Sequence, residues 1–420
     1  MGRSRVVIVG GGFGGLHAFR VLMRAGYDVT LVDRHPYTTF QPLLYQVATG
    51  GLNPGDITYS LRRYVSTRGE GTGAFRRATV TGIDTEAKQV VVSRGAPLPY
   101  DKLVLAQGVG ANFFGIPGAA ENARTIYTRA EALKVRDLIF SGLEHLTASK
   151  DPDRRFTVAV VGGGATGVEM AGSLAEMKSE ALPVVYPELH QDNFRVVLVE
   201  MSDTVLAPFA GKLQRYTLRE LRKRGVDVRL RTAVRAVRAD ALEFADGGVL
   251  DTDVVIWASG VGAHEVVSRW GLPQGRGGRI LVGPDLRVVG HEDVYAVGDC
   301  ALNPDDPQPQ LAQPALQMGD HAARHIIASD AGESIEPFAY RDKGTMATIG
   351  RNAAVAQIPP GIAVDGFPAW SLWVGVHLLA LLGGRNRIQT MINMAFRYFA
   401  WPKSAAGIIG DITDVTSRPE

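Results

Sequence analysis

The chain has 420 residues, 45% of them hydrophobic and 21% charged, with a formal net charge of +2. That balance excludes a disordered chain and exceeds what one ordinary domain needs; the absence of any long basic run or basic-aromatic alternation argues against nucleic acid as a partner. The single cysteine, Cys300, permits no internal disulfide and suits a reducing compartment.

The first residues, Met1 to Arg5, imitate the charged start of a signal peptide, but the apolar run behind them is too short, so no export signal is expected. That run, Val6 to Val9, leads into Gly10, Gly12 and Gly15 in a G-x-G-x-x-G turn, with Phe13 and Gly14 inside it and a helix expected from about Gly14 to Ala25. Buried strand, glycine turn and helix in that order are what a dinucleotide pyrophosphate requires. The glycines let the backbone turn tightly, approach the phosphates and pack helix on strand, and the helix N-terminus offers unpaired N–H groups. A glycine turn of this kind also opens ordinary α/β units. Asp33, at the end of the next strand with Arg34 behind it, adds a carboxylate able to bind a ribose diol.

Residues 34–55 are rich in aromatic, Gln, Pro and Gly residues without clear periodicity, and are expected to form a shaped loop beside a ligand. Strands around Ala78 to Ile83 and Gln89 to Val92 suggest a meander. The run from Asp101 to Leu105 ends at Ala106 and Gly108, where backbone can approach a cofactor. A periodicity break at Phe113 to Gly118 marks a crossing into a second domain, where an amphipathic helix from about Arg129 to Leu146 precedes the next glycine turn.

The opening pattern then repeats. Val158 to Val161 precede Gly162, Gly164, Thr166 and Gly167, and the following strand ends in Glu200, whose carboxylate repels the 2′-phosphate of NADP. The longer interval before Glu200, with Pro183 and Pro187 in it, implies an irregular insertion. Glu169 falls in the first turn of the second helix, which stabilises a carboxylate; a helix-end role is the alternative to a place in the chemistry. A strand ending at Gly260 parallels the one ending at Gly108. Val294 to Val297 then run into Gly298 and Asp299, an acid suited to a ribityl hydroxyl or to a helix N-cap. A helix opening at Ala312 carries Gln313, Pro314 and Gln317.

This nested order resembles the glutathione-reductase-like flavoproteins with two dinucleotide sites. More narrowly, Thr39 to Gly50, Gly162 to Glu169, Ala312 to Gln317 and Asp342 to Ala347 look like type II NADH:quinone oxidoreductases, over the chain from its first strand to about Trp401. Gln107 departs from the superfamily's A-T-G strand end, and Thr39 stands where the family often has a bulkier polar residue.

The resemblance implies an α/β fold of two Rossmann-like dinucleotide-binding domains, with the NADH domain inserted in the FAD domain. The boundaries expected are 1–114 and 285–366 for FAD, 115–284 for NADH, and 367–420 for a C-terminal amphipathic helical membrane-anchoring region. It implies FAD on Gly10, Gly12, Phe13, Gly14, Gly15, Asp33, Arg34, Val80, Ala106, Gly108, Gly298, Asp299 and Gln317. NADH falls on Gly162, Gly164, Thr166, Gly167, Glu169, Glu200 and Gly260. Glu169, Gln313, Gln317, Lys343 and Met346 are implied for catalysis near flavin and quinone, although on spacing alone the glutamines could be a surface helix and Lys343 a solvated lysine. No metal site is expected.

The implied reaction passes two electrons from NADH through FAD to a membrane quinone, menaquinone or ubiquinone, without proton pumping. With one cysteine there is no redox-active pair, so electrons must leave the flavin directly. The enzyme is expected on the cytoplasmic face of the cell membrane, peripheral, as a homodimer. The tail has residues 369–382, apolar but too short to cross a bilayer, then an apolar set at helical spacing including Ile388, Met391, Ile392, Phe396, Tyr398 and Phe399. Such helices can lie in the membrane interface, pack on the body or meet across a dimer. Alternatives to quinone reduction are a soluble or protein acceptor, or a redox-sensing flavoprotein.

Overall fold

The structure is a computed structural model and describes residues 4–66, 70–151 and 153–395. Contacts divide the chain into two compact units of interleaved segments. One comprises Met1–Thr39, Tyr59–Gly110 and Val261–Lys343; the other comprises Phe40–Thr58, Ala111–Gly260 and Gly344–Glu420.

In the first unit a five-stranded sheet runs in the order Val294–Ala296, Lys102–Leu105, Arg5–Val9, Asp28–Asp33, Thr72–Arg77, every pairing parallel. Its inner strands are apolar on both faces, and Val6, Val7, Ile8 and Val9 are all buried. Helices Phe13–Arg24 and Ala312–Asp330 cross closely: a Cβ on Gly319 would stand 2.2 Å from the Gly14 carbonyl oxygen. The meander is present as Val80–Asp84, Gln89–Val92 and Leu98–Pro99, all antiparallel.

The second unit repeats the plan. Its parallel sheet runs Ala123–Arg124, Val254–Trp257, Phe156–Val161, Phe194–Val199, Asp227–Arg229. In both sheets the strand entering the glycine turn lies between the strand after its helix and the later strand that closes the fold, so each sheet reverses its winding beside the turn. Such a switch point is where ligands bind in open α/β sheets. Helix Arg129–Thr147 starts at a capping box of Thr128 and Glu131. After Glu176 the insertion takes shape as a wide helical turn over Met177–Ala181 and a short helix, Leu182–Val185, with Pro183 in its first turn.

Two features differ from expectation. Residues 41–48 form no open loop: a tight turn, Gln41–Leu43, passes into helix Leu44–Ala48, whose five residues are all buried. A helix covered on every side needs no amphipathic stripe, so periodicity could not reveal it. The compact units also fall along other lines than the expected boundaries, because residues 40–58 and 344–366 pack with the second unit. There the antiparallel strands Thr345–Gly350, Ala353–Ile358 and Ile362–Asp365 form a sheet whose first strand lies on helix Ala165–Glu176, so tightly that a Cβ on Gly172 would be 2.2 Å from the Ile349 carbonyl oxygen.

Helices Gly366–Ala380 and Gly384–Ala395 follow. The expected apolar positions Phe396, Tyr398 and Phe399, with the rest of 396–420, lie outside the described residues. Among the described residues no helix is long and apolar enough to cross a membrane.

Candidate functional site

The two glycine turns are built alike. Gly10 has φ +104° and Gly162 φ +113°, angles that side chains resist, and a Cβ on either would meet the backbone of Ala106 at 2.3 Å or of Ala258 at 2.8 Å. A Cβ on Gly15 would stand 1.9 Å from the Gly10 oxygen, and one on Gly167 1.8 Å from the Gly162 oxygen. Gly12 and Gly164 are different: both are exposed, and a Cβ there would meet nothing within 4 Å. Each helix that follows lacks a side-chain cap. Two open cradles thus remain, each floored by the first-turn N–H groups at the positive end of a helix, and a pyrophosphate fits both. Phe13 is half-buried and Thr166 exposed at these helix starts.

The strand-end acids also match. Asp33 accepts hydrogen bonds from the backbone N–H of Gly11 at 2.7 Å and of His35 at 2.7 Å; Glu200 accepts them from Gly163 at 2.5 Å and Ser202 at 2.7 Å. Each carboxylate therefore braces its own turn and stays at the sheet edge, where a ribose is read. Arg34 beside Asp33 is exposed.

Around the first turn, Ala106 is buried and its N–H donates to Val9 at 2.7 Å, while Gly108 and Gly298 both have positive φ. Val80 is buried at the first position of its strand. Asp299 is pushed up to about 6 by burial, with the Arg279 guanidinium opposing. Cys300 is buried, its thiol raised to about 12 by desolvation and directed at the carbonyls of Val297 and Leu105, as befits an inert packing residue.

Gln317 does more than face outward. Its amide donates to the Arg341 carbonyl and accepts the Arg341 N–H, both at 3.0 Å, and so clasps the segment leading to the exposed Lys343. Gln313 is half-buried one turn earlier. These residues belong to the first unit, whereas Glu169 and Met346 belong to the second.

Glu169 sits where helix Ala165–Glu176 meets strand Thr345–Gly350. Part of it faces a recess, yet protein atoms crowd it enough for desolvation to raise its carboxyl to about 8. Thr348 N–H donates to it at 3.3 Å. The Trp373 indole also stands near enough to favour the charged form slightly, although its Nε1 lies outside hydrogen-bonding geometry. His377 stacks on Trp373 at 4.1 Å, and burial lowers it to about 4, so it is neutral. Gly260 accepts hydrogen bonds from Tyr127 Oη at 3.2 Å and Asn112 N–H at 3.3 Å. Thr348 and Glu176 escaped the sequence reading, while Gln46 and Trp373 entered it only within the motif 39–50 and the apolar stretch 369–382, with no role at this site. The signal available for Glu176 was its spacing of two helical turns from Glu169.

Residues 4–319 match the family model described as pyridine nucleotide-disulphide oxidoreductase. The chain is 36% identical over 415 residues to the type II NADH:quinone oxidoreductase Ndh of Mycobacterium tuberculosis, covering 95% of this chain and 89% of that protein. The chain belongs to the type II NADH:quinone oxidoreductases. It is also 30% identical to an internal alternative NAD(P)H-ubiquinone oxidoreductase A1 of Arabidopsis thaliana, across 93% of this chain and 83% of that one. The solved structure of NDH2 from Plasmodium falciparum in complex with NADH has the same fold, with TM-score 0.88 at 21% identity over 95% of this chain and 99% of that chain.

Membership in a type II NADH:quinone oxidoreductase family accounts for two cradles with a single cysteine. The broader family's name includes disulphide chemistry, but one buried thiol cannot form a redox pair, so this member uses the shared fold without it. FAD is the family's cofactor, and the first cradle, with Asp33 and the Gly298 to Asp299 strand end, has the donors and open space to hold it. Neither relative lends support to a soluble acceptor or a redox-sensing role. Among the described residues no group of His, Cys, Asp and Glu could hold a metal ion.

Proposed function

We propose that the chain oxidises NADH and reduces a membrane quinone, menaquinone or ubiquinone, through FAD, as a peripheral homodimer on the cytoplasmic face of the cell membrane, moving no protons across it. Support for two nucleotide sites comes from the paired open cradles at Gly12 and Gly164. FAD, when bound, accepts a hydride and returns its electrons to an acceptor. Gly10, Gly12, Gly15 and Asp33 hold it; Gly162, Gly164, Gly167 and Glu200 hold NADH, with Glu200 disfavouring a 2′-phosphate. Glu169, protonated at neutral pH, supplies a proton for quinone reduction. Gln317 fixes the segment before Lys343, and Gln313, Lys343 and Met346 border the quinone.

One observation carries the membrane assignment. In helix Gly384–Ala395 three polar residues face inward, while Arg385, Arg387 and Gln389 are exposed: Asn386 Nδ2 donates to the Thr58 carbonyl at 2.7 Å, Thr390 Oγ1 to that of Asp56 at 3.4 Å, and Asn393 Nδ2 to the Asp56 carboxylate at 2.6 Å. Ile388, Met391 and Ile392 face outward, with Leu379 and Phe367 of the preceding helix, all exposed. A helix in water would not leave this many large apolar side chains exposed together. An exposed apolar stripe beside arginines is what a membrane interface favours, with Arg385 at headgroup level. Trp370 and Trp373 anchor the pair by packing inward.

The test is anaerobic. NADH reduces the flavin of the purified holoenzyme, a menaquinone or ubiquinone analogue is mixed in, and flavin absorbance is followed. Fast reoxidation is expected; a flavin that stays reduced with quinone would overturn the assignment and require another acceptor.

A further inference from the structure

The stretch from Phe113 to Gly118, where periodicity breaks, holds a backbone that its residues resist. Phe114 is left-handed, with φ +53°, and Gly115 behind it has φ +69°. Glycine takes that conformation freely, but in phenylalanine the Cβ crowds the following carbonyl. Neighbours impose it. Phe113 and Ile116 pack on the buried core that contains Trp257, and the Phe113 ring lies 5.7 Å from the indole. Asn112 locks the turn between them: its N–H donates to the Gly260 carbonyl at 3.3 Å, its carbonyl accepts from Trp257 Nε1 at 2.9 Å, and its side-chain oxygen accepts the Phe114 N–H at 2.8 Å.

Burial does not explain the strain, since Phe114 is 61% exposed. Its ring rests on Gly260 so closely that a Cβ there would stand 2.2 Å from Cζ. Strained backbone persists where the surroundings over-determine it, and it gathers at ligand sites. Here it presents an aromatic face to solvent instead of to the core.

The order of the strands gives that face a ligand. Gly260 ends the strand Val254–Trp257, which lies beside Phe156–Val161, and that strand lies beside Phe194–Val199. The open cradle at Gly164 follows the middle strand, and Glu200 follows the third. A Cβ on Gly162 would be 2.8 Å from the Ala258 carbonyl oxygen, so the strand end that bears Gly260 adjoins the cradle. With a pyrophosphate in the cradle and the adenosine ribose on Glu200, the other riboside must extend the opposite way, towards Gly260. Two strand spacings, about 10 Å, separate the outer two of these strands, a distance that a dinucleotide spans.

We propose that Phe114 is a binding residue for the nicotinamide end of NADH, its ring packing on the nicotinamide riboside above Gly260. A flat ring stacked on a flat ring gains contact area with little rotamer entropy to lose. Gly260 then serves two partners, keeping its own side clear for Phe114 and letting the nucleotide approach. The proposal rests on the placement of NADH in the second cradle proposed above.

The test is calorimetric titration of the oxidised holoenzyme with tetrahydro-NADH, which has no hydride to give, and with ADP-ribose, which lacks nicotinamide. Phe114→Gly should weaken tetrahydro-NADH about tenfold and leave ADP-ribose within twofold. Its melting temperature should hold or rise, because glycine relieves the left-handed backbone. Phe114→Tyr should bind both ligands as wild type does. Gly164→Ala should weaken both ligands. If it does while Phe114→Gly binds tetrahydro-NADH normally, the Phe114 role is wrong and the cradle stands. Equal weakening of both ligands by Phe114→Gly would also overturn that role, since the contact would lie away from nicotinamide. If Gly164→Ala weakens neither ligand, the cradle assignment falls and the Phe114 role with it. Should Phe114→Gly not fold, Phe114→Asn decides, because asparagine also tolerates the left-handed region.

Discussion

Replacing Leu379, Ile388 and Ile392 together by Ser should release the enzyme from lipid. These side chains are 73%, 56% and 45% exposed. Full burial of such a side chain stabilises by about 2 kcal/mol, and scaling by the exposed fractions gives about 3 to 4 kcal/mol for the three. At about 1.4 kcal/mol per tenfold, membrane partition should weaken by roughly 10² to 10³. Because the residues already face away from the core, each change should alter folding stability by no more than about 0.5 kcal/mol. The assay is flotation with liposomes, alongside thermal melting and NADH oxidation with a soluble artificial acceptor. Flotation should be lost, melting should stay put, and activity should fall only for quinone held in liposomes. Flotation within threefold of wild type would refute the reasoning, and a loss of self-association in the variant would assign the same face to a second copy of the chain.

The glycine cradles separate ligand space from protein space. Gly164→Ala places a Cβ where no protein atom lies, so melting should be unchanged while KM for NADH rises about tenfold or more; Gly167→Ala, with its Cβ 1.8 Å from a carbonyl oxygen, should instead destabilise the fold by at least about 1 to 3 kcal/mol. Wild type should prefer NADH to NADPH, and Glu200→Gln, which keeps an oxygen for the Gly163 or Ser202 N–H, should narrow the preference in kcat/KM; equal use of both nucleotides by wild type would count against Glu200. The raised carboxyl of Glu169 means that the native state holds a proton the unfolded chain gives up above about pH 4.5, so its contribution to stability falls as pH rises from there to about 8. Glu169→Gln lacks that dependence, and its melting temperature relative to wild type should climb across the window; a constant difference would show an unperturbed carboxyl. Gln317→Leu removes both bonds to Arg341 and should cost about 1 kcal/mol, read by chemical denaturation.

Local backbone geometry is what made the nucleotide cradles legible. Gly10 and Gly162 stand where positive φ is needed, Gly15 and Gly167 where two backbones nearly touch, and short apolar runs before them mark strands covered on both faces. Each of those constraints is satisfied within a few residues, so it leaves its mark in order along the chain. The acids Asp33 and Glu200 follow from the same βαβ logic, since a strand parallel to the first must end beside the same turn.

Other features depend on partners distant in the chain. Helix Leu44–Ala48 was invisible because burial on every side erases periodicity. The sequence pattern of Gly384–Ala395 showed apolar and polar residues at helical spacing but not which faced the body, and only the Thr58 carbonyl and the Asp56 carboxylate drew the asparagines inward. The environment of Glu169 is likewise made by residues from elsewhere: Thr348 from a later sheet, Trp373 from a later helix, Gln46 from an earlier one. From the sequence alone came two dinucleotide folds, their order and the single-thiol restriction on chemistry, because these are local or compositional. Tertiary structure decided the protonation of one carboxyl, the clasp of Gln317 and the direction of an amphipathic helix, because desolvation and hydrogen bonding depend on what is packed alongside rather than on what comes next in the chain.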